Sequence, residues 1–235
     1  MAHRKTVLIT GANRGIGLAL ARGYLACGWT VFACARKDCN SKVFKALLSE
    51  YPGTFDVLRL DVSEEKSISR AARTMSSRTK HLDLLINNAG ICFDKETISE
   101  FDAKKAAWSF AVNATGPMLV VKNFLPLLRK GQDPKVVNIS SLSGSISRVS
   151  GFSGYYTYKA SKAALNMFSR LLGHELRKHG IATLIVHPGL VKTRMNPAGA
   201  ISPEKSASGI MAAVEKTGLR NSGIFVSPDS KGCPW

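Results

Sequence analysis

The chain has 235 residues, 45% of them hydrophobic, and a formal net charge of +17 at pH 7. This apolar share is enough for one large core and argues against global disorder. No apolar run approaches the roughly 18 residues that a membrane-spanning helix needs. Because only a few residues precede the first apolar strand, we expect no signal peptide. The lysines and arginines are scattered, so the charge favours a generally basic surface over a nucleic-acid site.

The cysteines and histidines indicate neither a disulfide framework nor a metal site. Five cysteines without a Cys-x-x-Cys spacing are typical of free thiols in a reducing compartment, so we expect a cytoplasmic protein. His174 and His179 lie five positions apart, which misses the four-residue step of a zinc-binding helix. We therefore expect no bound metal.

Short apolar segments alternate with helical segments along the chain. Predicted strands, rich in β-branched residues, cover 6–10, 29–35, 55–60, 82–87, 135–140, 181–187 and 223–227. Predicted helices lie near 15–27, 41–50, 64–79, 157–178 and 203–216, and a longer helical region after the fourth strand reaches to about 130. Such strands predict a seven-stranded parallel sheet buried on both faces. We expect one α/β domain over residues 1–235, a doubly wound Rossmann fold with helices on both faces of the sheet.

The first strand ends in TGANRGIG, residues 10–17. Glycines at 11, 15 and 17 allow the backbone to turn tightly and to approach a pyrophosphate at the start of the next helix. A glycine-rich turn without a ligand is the simpler alternative. The position between a strand and a helix favours a dinucleotide site.

The end of the second strand indicates which dinucleotide is bound. NAD sites usually carry an acidic residue there to hold the ribose 2′-hydroxyl. This strand instead ends in Arg36 and Lys37, with no carboxylate before Asp38, and Arg14 lies in the glycine turn. Arg36 and Lys37 could be ordinary loop charges, but two cations suit a 2′-phosphate. The sequence favours NADP(H).

The stretch GYYTYKASKAAL, residues 154–165, contains Tyr-x-x-x-Lys twice. The two pairs are Tyr155 with Lys159 and Tyr158 with Lys162. Residues four apart share a helical face, so the ammonium of each pair can lower the pKa of its phenol. A phenol tuned in this way is a proton donor near neutral pH.

Seven motifs follow one another in a characteristic order. They are TGANRGIG (10–17), Asp61-Val62, NNAG (87–90), Asn113 in AVNATG, NISS (138–141), YKASK (158–162) and PGLVKT (188–193). This series resembles the short-chain dehydrogenase/reductase family over essentially the whole chain. NISSLSGSI, HPGLVKTRM and the ending GIFVSPDSKGCPW look more narrowly like sniffer-type carbonyl reductases and C-factor-like proteins. Arg194 departs from that group, which often has an acid there.

The resemblance implies an NADPH-dependent oxidoreductase that reduces an aldehyde, ketone or quinone to an alcohol by hydride transfer. Tyr158, the first residue of the YKASK motif as in the family, donates the proton, and Lys162 lowers its pKa and bonds the nicotinamide ribose. Ser141 holds the substrate oxygen, as the second serine of NISS does in the family; Ser140 is the weaker candidate, since adjacent strand residues point to opposite faces. Asn113 anchors a water that relays protons to Lys162. Tyr155 and the following tyrosine line the cleft or its loop.

Further cofactor contacts are implied in the same way. Asp61 meets the adenine amino group and Val62 the adenine ring. Loop residues after the fourth strand line the ribose side, and Thr193 meets the carboxamide. The expected cofactor-binding residues are Gly11, Asn13, Arg14, Gly15, Ile16, Gly17, Arg36, Asp61, Val62, Asn87, Ala89, Gly90, Tyr158, Lys162, Pro188, Gly189, Val191 and Thr193.

Two other functional classes stay open at this point. A non-enzymatic NADPH-binding regulatory or signalling protein would keep the glycine turn, although the complete catalytic set speaks against it. A nucleic-acid binder would use the positive charge, and its affinity would fall steeply with salt.

The helices near 113–130 and 157–178 carry apolar residues around much of their circumference. A helix that covers one sheet face needs only an apolar stripe, so the excess is a candidate partner surface. By resemblance these helices pair with their copies across a two-fold axis. We expect a homodimer, or a tetramer through a second interface; the alternative is that both helices are buried within one subunit.

Overall fold

A parallel sheet forms the centre of the protein in the computed structural model, which describes residues 3–235. Within these residues the strands are β1 (Thr6–Thr10), β2 (Thr30–Ala35), β3 (Phe55–Arg59), β4 (Leu84–Asn87), β5 (Lys135–Ile139), β6 (Ala182–Val186) and β7 (Ile224–Val226). The order across the sheet is β3-β2-β1-β4-β5-β6-β7, and all six pairings are parallel. The predicted seven-stranded, doubly wound sheet is confirmed.

Helices connect the strands. They are α1 (Gly15–Ala26), α2 (Lys42–Glu50), α3 (Glu65–Arg78), α4 (Ala103–Phe110), α5 (Gly116–Leu128), α6 (Tyr156–Arg177) and α7 (Pro203–Lys216). Among the described residues, none of these helices combines the length and apolar character needed to cross a bilayer.

The longer helical region predicted after the fourth strand, reaching to about 130, consists of several helical elements. The segment contains a 3₁₀ turn at Ile98–Glu100, then α4, a π-helical turn at Ala111–Thr115, and α5. Asp102 starts α4 because its carboxylate accepts hydrogen bonds from the amides of Lys104 and Lys105. Apolar periodicity alone does not reveal such interruptions.

Residues of β1 to β5 divide between two buried clusters. In β1, Val7 and Ile9 belong to one buried cluster and Leu8 to the other. The first cluster includes residues of α1, α2 and α7, and the second includes residues of α3, α5 and α6. Helices therefore cover both sheet faces, and the carboxyl ends of the strands are left at one edge, where the crevice between β1 and β4 opens.

At the opposite edge of the sheet, the buried carboxylate of Asp83 joins three segments. Its Oδ2 accepts a hydrogen bond from the amide of Thr6 at 2.7 Å, and its Oδ1 accepts one from the amide of Gln132 at 2.6 Å. The Nε2 atoms of His3 and His81 lie 2.9 and 3.5 Å from the same carboxylate. Asp83 thus links the starts of β1 and β4 to the turn that precedes β5.

We predict that Asp83→Ala lowers the free energy of unfolding by about 2–4 kcal/mol, because two backbone amides lose their acceptor. Urea denaturation measures the change. Asp133→Asn, which alters an exposed carboxylate paired with Lys135 near the same turn, serves as the control and should cost less than about 1 kcal/mol. Equal losses in the two variants would contradict the special role of Asp83.

Candidate active site

The glycine turn after β1 has no room for larger residues at two positions. Gly11 has φ +65°, and a Cβ built on it would lie 3.0 Å from Cα of Ala89. A Cβ on Gly17 would clash with the carbonyl oxygen of Gly11 and the side-chain amide of Asn88. The turn therefore packs directly against the residues that follow β4.

Hydrogen bonds of Asn88 stabilise the contact between the glycine turn and the residues after β4. Its Nδ2 donates to the carbonyl oxygens of Thr10 and Gly11, at 2.9 and 3.1 Å. The hydroxyl oxygen of Thr10 in turn accepts hydrogen bonds from the amides of Asn88 and Ala89, both at 3.0 Å. The sequence alone indicates no role for Thr10 or Asn88, although both lie within the motifs TGANRGIG and NNAG.

The N-terminus of α1 faces this turn without a side-chain cap. Arg14 occupies the N-cap position and makes no capping bond, whereas Ser41, Asp102 and Ser202 cap α2, α4 and α7. Uncapped amides at the positive end of a helix are suited to a phosphate group. Together with the closely packed turn, they fit the pyrophosphate of a dinucleotide. Asn13 and Ile16 lie half-buried in the same segment.

The end of this groove beside β2 and β3 is strongly basic. A cavity of about 440 Å³ is lined by Arg36, Lys37, Arg59, Asp61, Glu64, Lys66, Ser67 and Arg70. Arg14 is exposed on the neighbouring turn. The guanidinium of Arg36 lies 5.9 Å from the ring centroid of Trp108, and its Nε is 3.9 Å from Oδ2 of Asp61. Trp108, an α4 residue that we had not predicted here, therefore faces the cation at the end of β2.

Asp61 and Val62 leave the end of β3 beside this cavity. The Oδ1 atom of Asp61 accepts hydrogen bonds from the amide and hydroxyl of Ser63, at 3.0 and 2.6 Å. Val62 is 6% exposed and belongs to the core cluster that contains Leu60. Asp61 is thus held by its own turn while its second oxygen faces Arg36.

The last residue of β4 and the residues that follow it differ in orientation. Asn87 is buried, and its Nδ2 donates to Oδ1 of Asn138 at 2.8 Å and to the carbonyl of Pro117 at 3.3 Å. Its side chain therefore braces β4 against β5 and α5. Ala89 and Gly90 form the wall of the crevice opposite the glycine turn.

Tyr158 and Lys162 lie one turn apart on α6. The Nζ atom of Lys162 is 6.0 Å from the centroid of the Tyr158 ring and donates to the carbonyl of Ile139 at 2.8 Å. Tyr155 instead precedes the helix in a left-handed conformation with φ +60°, and Lys159 donates to the hydroxyl of Ser153. Only one of the two Tyr-x-x-x-Lys pairs is therefore assembled on a regular helix.

Burial governs the electrostatics of this pair. It raises the pKa of the Tyr158 phenol to about 12; a hydrogen bond with Ser141 opposes the rise, and the neighbouring Cys92 adds to it. Burial also lowers the pKa of Lys162 to about 8, against a smaller opposing effect of Cys92. Loss of solvation therefore sets the direction of the Tyr158 pKa shift, and a lowering of this pKa by Lys162 stays a prediction.

The two serines of NISS point in different directions. Ser141 lies beside Tyr158, and its hydroxyl oxygen accepts a hydrogen bond from the amide of Ser143 at 3.0 Å. Ser140 is buried, and its hydroxyl donates to Oδ1 of Asn166 at 2.5 Å. Ser141 is thus the serine whose hydroxyl shares a site with the phenol.

Asn113 is fully buried in the π-helical turn. Its Nδ2 donates to the carbonyl of Ile91 at 2.8 Å and to the hydroxyl of Ser161 at 3.0 Å, and its Oδ1 accepts from the amide of Ile91 at 2.8 Å. A Cβ on Gly90 would lie 3.3 Å from Oδ1 of Asn113 and 3.7 Å from Nζ of Lys162. Asn113 and Lys162 therefore flank Gly90, and a π turn at such a place is common in functional sites.

The segment after β6 closes the other end of the crevice. The carbonyl of Pro188 accepts from the hydroxyl of Ser206 at 2.7 Å, and Gly189 has φ +88°. Val191 is buried and forms an isolated bridge with Ile201. A Cβ on Gly15 of the glycine turn would lie 3.5 Å from Cγ2 of Thr193, so these two segments face each other. Arg194 points to an exposed position beyond them.

Comparisons with known proteins agree with this geometry. A model of the short chain dehydrogenase family matches residues 5–201. An uncharacterized oxidoreductase of Schizosaccharomyces pombe is 33% identical, with 98% of each chain covered.

Two solved structures are similar to this chain over nearly its whole length. An NADPH-bound carbonyl reductase from chicken fatty liver has a TM-score of 0.91 at 32% identity, with 100% of both chains covered. The carbonyl reductase Sniffer of D. melanogaster has a TM-score of 0.93 at 28% identity, covering 99% of this chain and 100% of the other. The fold, the assembled Ser141–Tyr158–Lys162 site and the family match lead to one conclusion: the chain belongs to the short-chain dehydrogenase/reductase family of oxidoreductases, close to the sniffer-type carbonyl reductases.

Proposed function

We propose that the protein is an NADPH-dependent carbonyl reductase that converts an aldehyde, ketone or quinone to an alcohol. The observation that carries this proposal is the convergence of Ser141, Tyr158, Lys162 and Asn113 at the sheet edge that also bears the uncapped glycine turn. NADPH, when bound, supplies the hydride. The similarity to an NADPH-bound carbonyl reductase supports the choice of reaction.

The protein's own residues manage the proton. With a pKa of about 12, Tyr158 holds its proton at neutral pH and can deliver it to the substrate oxygen, which Ser141 orients by hydrogen bonding. The phenolate left behind is stabilised by the ammonium of Lys162, whose pKa of about 8 keeps it largely charged at pH 7. Asn113 holds the neighbouring backbone of Ile91 in place.

The cofactor contacts belong to the same proposal. The amides of the glycine turn hold the pyrophosphate, and Arg14 and Arg36 hold the 2′-phosphate. Asp61 and Val62 bind the adenine. The remaining groups act toward the ribose and carboxamide: Asn87 through its backbone, Ala89, Gly90, Tyr158, Lys162, Pro188, Gly189, Val191 and Thr193.

The loops beside the catalytic residues are rich in exposed apolar side chains. Phe152, Leu190 and Met195 are 69%, 67% and 50% exposed. Such groups favour contact with an apolar substrate. We infer that the carbonyl substrate carries a hydrophobic group.

All five cysteines are free, which supports a cytoplasmic location.

The first prediction of this proposal concerns the proton donor. A panel of apolar aldehydes, ketones and quinones, followed by NADPH absorbance, should reveal turnover by the native protein. Tyr158→Phe should lower kcat by about 100-fold to 10,000-fold, since it removes the donor hydroxyl and little else. Tyr155→Phe is the matched control and should keep most of the activity. The assignment fails if Tyr155→Phe is the inactive variant, and the proposed function fails if native protein turns over no member of the panel.

The second prediction concerns cofactor choice. Native protein should bind NADPH more tightly than NADH, because Arg36 faces the basic cavity at the adenosine end. Arg36→Asp should weaken NADPH binding by about 10-fold to 100-fold through loss of charge-assisted hydrogen bonds. NADH binding should change much less. Isothermal titration with both cofactors makes the comparison, and equal affinities in the native protein would refute the preference.

The third prediction concerns assembly, where the two helices differ. On α5, Val120 and Phe124 are buried within the subunit, which agrees with the alternative that this helix has no partner surface. On α6, Met167 and Leu171 are 62% and 58% exposed, and Phe168 lies between them. We propose that this α6 stripe forms a homodimer interface.

Light scattering at micromolar concentration should accordingly give twice the chain mass of 25.4 kDa. Leu171→Glu should shift the mass toward the monomer, because it places a charge in an apolar contact. Lys178→Glu, an exposed change near the end of the same helix, should not. A native particle of monomer mass would exclude the dimer.

A further inference from the structure

The helix that carries Tyr158 and Lys162 begins without a cap of its own. Its N-cap residue, Tyr155, has a left-handed backbone at φ +60° and ψ 38°, follows Gly154 at φ +69°, and makes no side-chain capping bond. The catalytic tyrosine lies in the first turn of this helix, where four backbone amides have no intrahelical acceptor. A group outside the helix must therefore accept hydrogen bonds from the first amides of α6.

Glu96 fills that role from a distant part of the chain. Its Oε1 accepts a hydrogen bond from the amide of Thr157 at 2.9 Å, across 61 positions of sequence. Glu96 is 7% exposed and Thr157 is 3% exposed, so the bond is shielded from water. A buried carboxylate at the positive end of a helix is stabilised by the amides and by the helix dipole. The bonded amide belongs to the residue directly before Tyr158.

The segment that carries Glu96 is fixed at both ends. At residue 91 the backbone is bonded to the side chain of Asn113, which also donates to Ser161 on α6. Near Glu96, a Cβ on Gly154 would lie 3.1 Å from Cβ of Lys95. The segment 91–96 is therefore joined to α6 directly by Glu96 before Tyr158, and by way of Asn113 to Ser161 after it.

Aromatic contacts support the same junction. The ring of Tyr156 lies 6.4 Å from that of Phe101, which follows the Glu96 loop, and 5.7 Å from that of Phe152. These contacts bring the loop after β4 and the loop before α6 together around the helix start. The carboxylate of Glu96 adds the directional bond that rings cannot supply.

We propose that Glu96 is a positioning residue: its buried carboxylate caps the catalytic helix and thereby sets the place of the Tyr158 hydroxyl in the active site. The inference rests on the proposed function for its kinetic consequence. A displacement of about 1 Å at a reacting group can cost about 100-fold in rate. The loop on the substrate side of the crevice thus takes part in aligning the proton donor.

The test compares Glu96→Ala with Glu96→Gln and a control. Glu96→Ala should lower kcat about tenfold or more, with an NADPH affinity within about threefold of native, because the cap acts on the first turn and not on the glycine turn. Glu96→Gln keeps the length and an acceptor oxygen, so it should recover most of kcat. Glu100→Ala removes an exposed carboxylate of the same loop, bonded to Thr97, and should leave kcat unchanged.

A second readout needs no turnover. Hydrogen–deuterium exchange of a peptide covering 154–162 should be faster in Glu96→Ala than in native protein or in Glu100→Ala, because the amide of Thr157 loses its acceptor. If the native protein reduces no carbonyl, the proposed function fails, yet exchange still decides the capping role. Native-like exchange and kcat in Glu96→Ala would overturn the inference.

A failure of Glu96→Ala to fold would still leave a decisive comparison. Glu96→Asp keeps the charge but is shorter by one methylene, so it should reach Thr157 poorly and show a lower kcat than Glu96→Gln. The reverse order, with Glu96→Asp native-like and Glu96→Gln impaired, would overturn a role based on the reach of the hydrogen bond.

Discussion

Hydrogen bonds between the end of β1 and the residues after β4 hold the centre of the crevice. Four such bonds join Thr10 and Gly11, at the end of β1, to Asn88 and Ala89, after β4. They lie where the hydrogen bonds between the two strands end. The glycine turn continues from the β1 side of these bonds, and the segment that leads to Glu96 continues from the β4 side. These few hydrogen bonds therefore fix the position of the groups that would hold a dinucleotide relative to the segment that aligns the proton donor.

The placement of a cation in this crevice works against stability. Lys162 is 5% exposed, and burial lowers its pKa from 10.5 to about 8. That difference corresponds to about 3 kcal/mol opposing folding while the ammonium is charged. Because the folded-state pKa is the lower one, the cost is complete below pH 8 and disappears as the pH rises toward 10.5. A cost of this kind is typical of groups kept for chemistry, not for folding.

The sheet could be predicted because runs such as TVLIT and KVVNIS are short, continuous and β-branched, and both became buried parallel strands. The choice between the two tyrosine–lysine pairs also depended on local features, namely the regular helix after Tyr158. The contacts of Glu96, Asn88 and Trp108 could not be predicted, because each joins segments far apart in sequence. The direction of the Tyr158 pKa shift depends on burial, which no local pattern reports.

The strand order has a consequence for synthesis of the chain. Val7 of β1 pairs on one side with Val31 of β2 and on the other side with Leu84 of β4, which is synthesised later. At about 5–20 residues per second, several seconds separate the emergence of these two partners from the ribosome. Throughout that interval a strand destined for the middle of the sheet has one unpaired edge, which can pair with another chain. Until about the first third of the chain has been made, this edge of β1 therefore stays without its native partner.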